Sequence, residues 1–314
     1  LKQVRYLILF IAVLYSFSIY SQEGTPLITN FTFGETSIDN ESWAMAQDSE
    51  GQMMFATRRG IVSFDGVKWN TILTPSVPLS LYFDADSDQI FVGCKNNIGL
   101  LVKGDDGVYQ YASLVAGGRS VGDIETITGL NGKIYFYSSQ YISSFDLGTK
   151  KLKQWPAESG QPYTGFFTNK QDVYVNIEKL GLHVLRGEIK TPVRGGEKLF
   201  DTQIKFSLKY NKFQVLIGTS KDSLYIFSGS KLLPFVIESN DYIHESILAG
   251  GINIDSESFV LSTISGGCLI IDKKTRKTTY TLNYQTGLPD DEIYSMGIDQ
   301  NHGLWVLHEY GVSR

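Results

Sequence analysis

The stretch Ser42 to Trp69, SWAMAQDSEGQMMFATRRGIVSFDGVKW, holds one complete structural unit. An apolar run, Trp43 to Ala46, meets the turn residues Asp48, Ser49, Glu50 and Gly51, and a second apolar run, Met53 to Ala56, follows at once. That order reads as a hairpin. Arg58 and Arg59 cross a loop, Gly60 opens a third strand ending at Phe64, and Asp65-Gly66 turns into a fourth, Val67 to Leu73, of mixed polarity. The turns fall where Gly and Asp tolerate positive φ. Strands without polar alternation suit the buried interior of a sheet, and a mixed strand suits its wet edge. The first two strands are therefore expected to be buried on both faces.

The same unit recurs outward from this stretch. The residues that open each third strand, Gly60, Gly99, Tyr141, Gly181, Ser223, Gly267 and Gly311, stand 39 to 44 residues apart over seven units. A unit of that length with four short antiparallel strands buries both faces only by stacking on its neighbours around an axis. The expectation is an all-β, seven-bladed β-propeller of four-stranded antiparallel blades over residues 25–314. A pair of β-sandwiches would not require the Gly and the Asp/Asn turns to recur at matching offsets. The seventh unit supplies three strands and ends at Arg314, while Leu27 to Phe33 has strand composition and belongs to no unit. An open edge is a liability. Leu27 to Phe33 is therefore expected to pair antiparallel with Tyr310 to Arg314 and complete the last blade. Gly51 and Gly303, after Asp48 and Asp299, are both expected at positive φ.

Composition narrows the function. The 314 residues are 42% hydrophobic with a formal net charge of −5, and no basic tract is present, which argues against nucleic-acid binding in this region. Cys94 and Cys268 are too few for a disulfide framework and are expected as free, buried thiols. Lys2 and Arg5 precede the apolar run Tyr6 to Leu14, with Ser16, Ser18 and Ser21 after it. Residues 1–21 thus have the layout of a signal peptide, with an uncleaved anchor as the alternative, since a span needs about 20 apolar residues. The chain reads as a fragment of a longer protein, and contact with a membrane is expected only through that segment or through sequence after Arg314.

Catalytic and metal signatures are weak. The four histidines, His183, His244, His302 and His308, form neither an H-E-x-x-H nor a zinc spacing, and His302 and His308 are expected at the surface. The segment Asp84 to Asp88 lacks the Gly and Glu of a calcium loop and reads as a hairpin turn. Asp290, Asp291 and Glu292 are adjacent loop acids, whereas a glycosidase needs two carboxyls set across a cleft. No catalytic residue, metal or cofactor is assigned.

Binding residues are placed by topology. With the first strand of each unit running along the channel, the loops before it and those between second and third strands gather on one face. That face is expected to carry Trp43, Arg58, Arg59, Lys95, Asn96, Asn97, Tyr141, Tyr163, Glu178, Lys179, Lys221, Asp222, Tyr242, His244, Glu309 and Tyr310. Aromatic rings beside charged and amide groups suit a glycan or another polar small ligand. The ligand-binding candidates are Trp43, Arg58, Arg59, Lys95, Asn97, Tyr141, Lys179, Tyr242, His244 and Tyr310.

The first unit and GLPDDEIYSMGIDQNHGLWVLHEYGVSR at the end resemble the two-component regulator propeller repeat, with its D-x-x-G turn, Trp- or Phe-containing strand, and Gly-aliphatic strand. The chain resembles, over roughly residues 25–314, the N-terminal propeller of triple-tyrosine-domain transmembrane regulators of the Bacteroidetes type. The likeness is strong in the first and seventh units and degraded in the third to fifth. It implies an extracytoplasmic, ligand-sensing propeller ahead of a transmembrane helix and a cytoplasmic output such as a histidine kinase, with a homodimer or partner protein engaged by the full-length parent. A secreted carbohydrate-active propeller enzyme and a protein interaction scaffold are the alternatives.

Overall fold

The computed structural model describes residues 26–33, 40–115 and 117–314. The expected signal segment, residues 1–21, lies outside them. Seven four-stranded antiparallel sheets form the blades of a β-propeller. In blade 1 the strands Ser42–Gln47, Met53–Thr57, Gly60–Phe64 and Trp69–Ile72 lie in chain order from axis to rim, and five further blades repeat that order. The first strands of consecutive blades touch one another all the way round, from blade 7 back to blade 1.

Burial follows this order with one correction to the sequence reading. Met53–Thr57 and Gly60–Phe64 are buried throughout, but the first strand, Ser42–Gln47, is half open. The two inner positions of each sheet are covered by neighbouring blades on both faces, whereas the first strand borders the axial channel. Seven apolar clusters fill the seven joints between blades, such as Ile90, Val92, Ile61 and Ile72 between blades 1 and 2. Each fully buried large side chain contributes roughly 1.5–3 kcal/mol.

The last blade is composite. Ser295–Ile298, Leu304–His308 and Gly311–Ser313 come from the end of the chain, and Asn30–Phe31 is the outermost strand. Asn30 faces Ser313 and Phe31 faces Val312, and Thr29 and Arg314 exchange both backbone hydrogen bonds at 2.9 Å. Phe31 stacks on Trp305 at 5.5 Å, and Phe33 meets Trp69 edge-on at 5.3 Å, so this segment seals the joint between blades 7 and 1.

One turn expectation holds and its counterpart needs correcting. Gly51 has φ +91, but in blade 7 the left-handed residue is His302, at φ +61, and Gly303 is not left-handed. The matching hydrogen bonds show why: Gly51 N donates to Asp48 O and His302 N to Asp299 O, so the position three after the Asp is the left-handed one in both turns. Gly303 answers a different constraint, since a Cβ there would stand 2.7 Å from Asp299 Oδ2 and from Arg314 Nε. His308, expected at the surface, is 1% exposed, because the third strand of blade 7 folds over it and Ser313 Oγ meets its Nε2 at 2.8 Å. Cys94 and Cys268 are buried free thiols, and burial pushes them up to about 11 and about 12.

Candidate functional site

Strand order divides the loops between two faces. The front holds the loops before each first strand and those between second and third strands; the back holds the remaining hairpin turns. On the front, neighbouring loops are tied by their backbones: Lys95 N donates to Val77 O, Lys179 N to Phe200 O and Ser220 N to Gln203 O.

Several of the expected binding residues prove to be fasteners. Trp43 is the bulged residue skipped by the pairing between Ser42 and Ala44, and its indole N–H donates to Pro78 O in blade 2 at 2.8 Å. Asn97 begins the strand Asn97–Lys103 rather than lying in a loop, and its Oδ1 accepts from Tyr111 and Ser113. Asn96 Oδ1 likewise accepts from Ser120 Oγ and from the backbone of Val121 and Gly122. Tyr163 is buried at 1% exposure with its hydroxyl on Pro156 O, and Tyr242 donates to Gly266 O at 2.8 Å. A side chain anchored to the backbone of its own joint has its polar atom occupied.

The remaining candidates separate into two groups along the rim. Arg58, Arg59, Glu309 and Tyr310 lie in the second-to-third loops of blades 1 and 7, and Arg58 pairs with Glu41 at 3.1 Å. Lys95 is next, in blade 2, and Tyr141 borders a hollow of about 290 Å³ beside Gln140, Glu158 and Pro162 in blade 3. The second group spans blades 4 to 6.

There Glu178 and Lys179 border a hollow of about 470 Å³ together with Phe200, Asp201, Gln203 and Ser220. Phe200 is half exposed, Lys221 pairs with Asp201, and His244 Nδ1 lies 3.6 Å from Asp222 Oδ2. Sequence reading missed Phe200, Asp201 and Gln203, because they follow the short 3-10 turn Gly196–Leu199 in a loop with no strand periodicity. An exposed Phe in a polar loop was the available signal. The loop is held firmly: the two N–H groups of Asn176 Nδ2 are shared among Thr164 Oγ1, Leu199 O and Thr202 O, all at 2.8 to 2.9 Å, and Ser220 Oγ accepts from Gln203 N. A pre-set ring face, an ammonium, two carboxylates and an amide around one hollow can stack on a polar ring and direct hydrogen bonds to it.

Beneath the front face, the inner strands of blades 3 to 6 line a hollow at one side of the axial channel. Glu125, Lys205 and Gln203 stand at its front end, and it measures about 480 Å³. Glu125 is open to solvent, yet burial of its carboxyl among the walls, and then Asp123, raise its pKa above the ordinary value. Lys205, another bulged residue, donates its ammonium to Leu248 O in the next blade, as Trp43 does to Pro78. Among the described residues no group of three or more His, Cys, Asp or Glu is placed to hold a metal ion, and no helix is long and apolar enough to cross a membrane.

No protein-family model and no curated protein matches the chain. Solved structures do match. The extracellular domain of a putative hybrid two-component system from B. thetaiotaomicron aligns over 91% of this chain and 41% of its own, with TM-score 0.67 and 15% identity. That of a putative one-component system from the same organism aligns over 91% and 39%, with TM-score 0.68 and 16% identity. Virginiamycin B lyase from Staphylococcus aureus aligns over 91% and 98%, with TM-score 0.68 and 10% identity. The chain thus spans about two fifths of the two extracellular domains, and at these identities the likeness is one of fold.

Proposed function

We propose that this chain is the extracytoplasmic ligand-sensing propeller of a membrane-spanning signalling protein, with the front hollow of blades 4 and 5 as its ligand site. The observation that carries the reading is the size relation. One propeller here aligns with about two fifths of two sensor ectodomains, which is what a module of such an ectodomain would do. The front hollow supplies the recognition chemistry for a polar ring: Phe200 as a stacking face, with Lys179, Glu178 and Gln203 as directional partners. In this reading the triple-tyrosine region, the transmembrane helix and the output lie beyond the chain.

The test is a thermal titration of the chain with a panel of neutral and acidic oligosaccharides. At least one is expected to raise Tm, and the double variant Lys179→Ala, Phe200→Ala should abolish that rise while leaving the unliganded Tm within about 2 °C, as expected for exposed side chains. No rise with any member, or an undiminished rise in the variant, removes the site. A second reading, an enzyme, is favoured by His244 lying over Asp222 on the same rim and by the lyase among the structural neighbours. Cleavage of a bound oligosaccharide, lost in His244→Ala, would decide for it. The scaffold reading would be favoured by capture of a protein in the absence of any small ligand.

A further inference from the structure

The channel has a second end, on the back face, and its chemistry is the opposite of the molecule's own charge. We infer that the back mouth between blades 3 and 5 binds a compact, hydroxylated molecule carrying a carboxylate or another oxoanion. The hollow there measures about 410 Å³, within the size range of small-ligand sites. Lys170, Lys209 and Lys212 border it, Thr126, Thr128, Thr168 and Ser207 add hydroxyls, and no carboxylate is among its lining residues. A chain with formal net charge −5 thus gathers three ammonium groups around one concavity.

The arrangement follows from the strands. Along Ile204–Lys209 the side chains alternate, with Phe206 and Leu208 turned into the blades and Ser207 and Lys209 open, so period two places Ser207 and Lys209 on the channel side. Lys170 sits at φ +56 in the back turn of blade 4, and Lys212 lies in the back turn of blade 5. Both ammonium groups stand over the exposed ring of Phe213, at 5.7 and 5.9 Å. That ring holds the two cations at the rim.

The lysines also lack internal neutralisation. Among the described residues none of the three forms an ion pair. Asp172, which closes the turn that carries Lys170, is held by Arg186 Nε and Nη2, and Asp84 is held by Ser87. The turn residues make the same point. Between first and second strands the back turns of blades 1, 2, 6 and 7 carry Asp48, Asp84, Asp255 and Asp299, whose oxygens cap backbone N–H groups, whereas those of blades 3, 4 and 5 carry Asn131, Asn169 and Asn211. Asn211 Oδ1 makes the same caps, to Phe213 N and Gln214 N, without the negative charge. Three cations around a concave site focus potential on its interior and draw an anion in. A nucleic acid or an acidic protein segment would instead be met by a flat or extended basic stripe, and these lysines surround a hollow.

The probe pair is gluconate and sorbitol, which share a carbon skeleton and differ in the carboxylate. Titration calorimetry on the intact chain at low ionic strength should show gluconate binding at least about tenfold more tightly than sorbitol, with affinity falling as salt rises. Lys209→Gln with Lys212→Gln should weaken gluconate by about tenfold or more, and Lys209→Arg, which keeps the charge, should stay within about threefold of the parent. The front-face double variant Lys179→Ala, Phe200→Ala should leave gluconate binding unchanged, so this site and the front site fail independently. Equal binding of gluconate and sorbitol, an unaffected lysine variant, or binding of a polyglutamate peptide with none of gluconate would overturn the assignment.

Discussion

At the scale of single residues, Asp299 organises the last blade more than any other polar side chain. Its carboxylate accepts from Asn301 N and Gly303 N, from the Trp305 indole at 2.9 Å and from Arg314 Nε at 2.6 Å, and the side chain is 4% exposed. Burial alone would raise its pKa, but the bonds from Arg314, Trp305 and Gly303 outweigh burial and lower it from 3.8 to about 2. A carboxyl depressed in the folded state contributes stability above its unfolded pKa, and that contribution is lost as pH falls from about 4 to about 2. The amount is about 2 kcal/mol, at 1.36 kcal/mol per pKa unit. Asp299→Asn should therefore cost about that much at pH 7 and almost nothing at pH 2. Denaturant melts of both proteins across that range read the difference, and a gap that stays constant with pH would contradict this account. Other acids here, such as Asp172, titrate in both proteins and cancel in the comparison.

At the scale of the element, one contact recurs where the third strand begins. A Cβ on Gly60 would stand 2.6 Å from Ile72 O, on Gly267 2.1 Å from Leu282 O, and on Gly311 2.2 Å from Phe31 O. Ile72 and Leu282 end the outer strands of blades 1 and 6, and Phe31 ends the strand that completes blade 7. The same carbonyl crosses over the same glycine, so the outer strand must bring its backbone to within contact of the third. All three glycines also have positive φ. Gly267→Ala should combine that strain, about 1–2 kcal/mol, with overpacking of about 1–3 kcal/mol, and lower stability by about 3 kcal/mol in a denaturant melt. A loss below about 1 kcal/mol would mean that the outer strand yields. This glycine helped make the fold legible in blades 1, 4, 6 and 7, where Gly60, Gly181, Gly267 and Gly311 each face a backbone carbonyl. In blade 2 the third strand opens at Asn97 and Gly99 instead meets the Tyr111 ring, while blades 3 and 5 have Tyr141 and Ser223, so there the period rested on the turns. The site was less legible. Trp43, Tyr163 and Tyr242 have the composition of binding residues, and only the bulge geometry and hydrogen bonds show that they fasten joints. The loop with Phe200 and Asp201 carries no periodicity at all, and the helix Asn240–Glu245 in the next connection is too short to announce itself.

At the scale of the molecule, a ring of blades has no hydrophobic centre, and its core is distributed over the joints. Six of the joints lie between consecutive segments of chain, but the joint between blades 7 and 1 brings together residues near opposite ends of it, including Phe33, Phe55, Trp305 and Val312. Closing that joint carries the largest loop-closure entropy of the seven, and the aromatic cluster offsets it, with Phe31, Phe33, Phe55, Phe64, Trp69 and Trp305 in mutual contact. Phe33 is fully buried, and removing such a ring costs roughly 3–5 kcal/mol. If the ring opens as a unit at this joint, that cost is not shared evenly. Amide hydrogen exchange in Phe33→Ala should lose protection most in Met53–Thr57 and Leu304–His308, the two buried strands that flank the joint. The buried strand Asp172–Ile177 on the far side of the ring should exchange at close to its parent rate. Local opening below the global unfolding free energy is what such a pattern reports. Equal acceleration in all three strands would instead mean that the blades unfold together and that the closing strand, for all its distance along the chain, is an ordinary part of one cooperative structure.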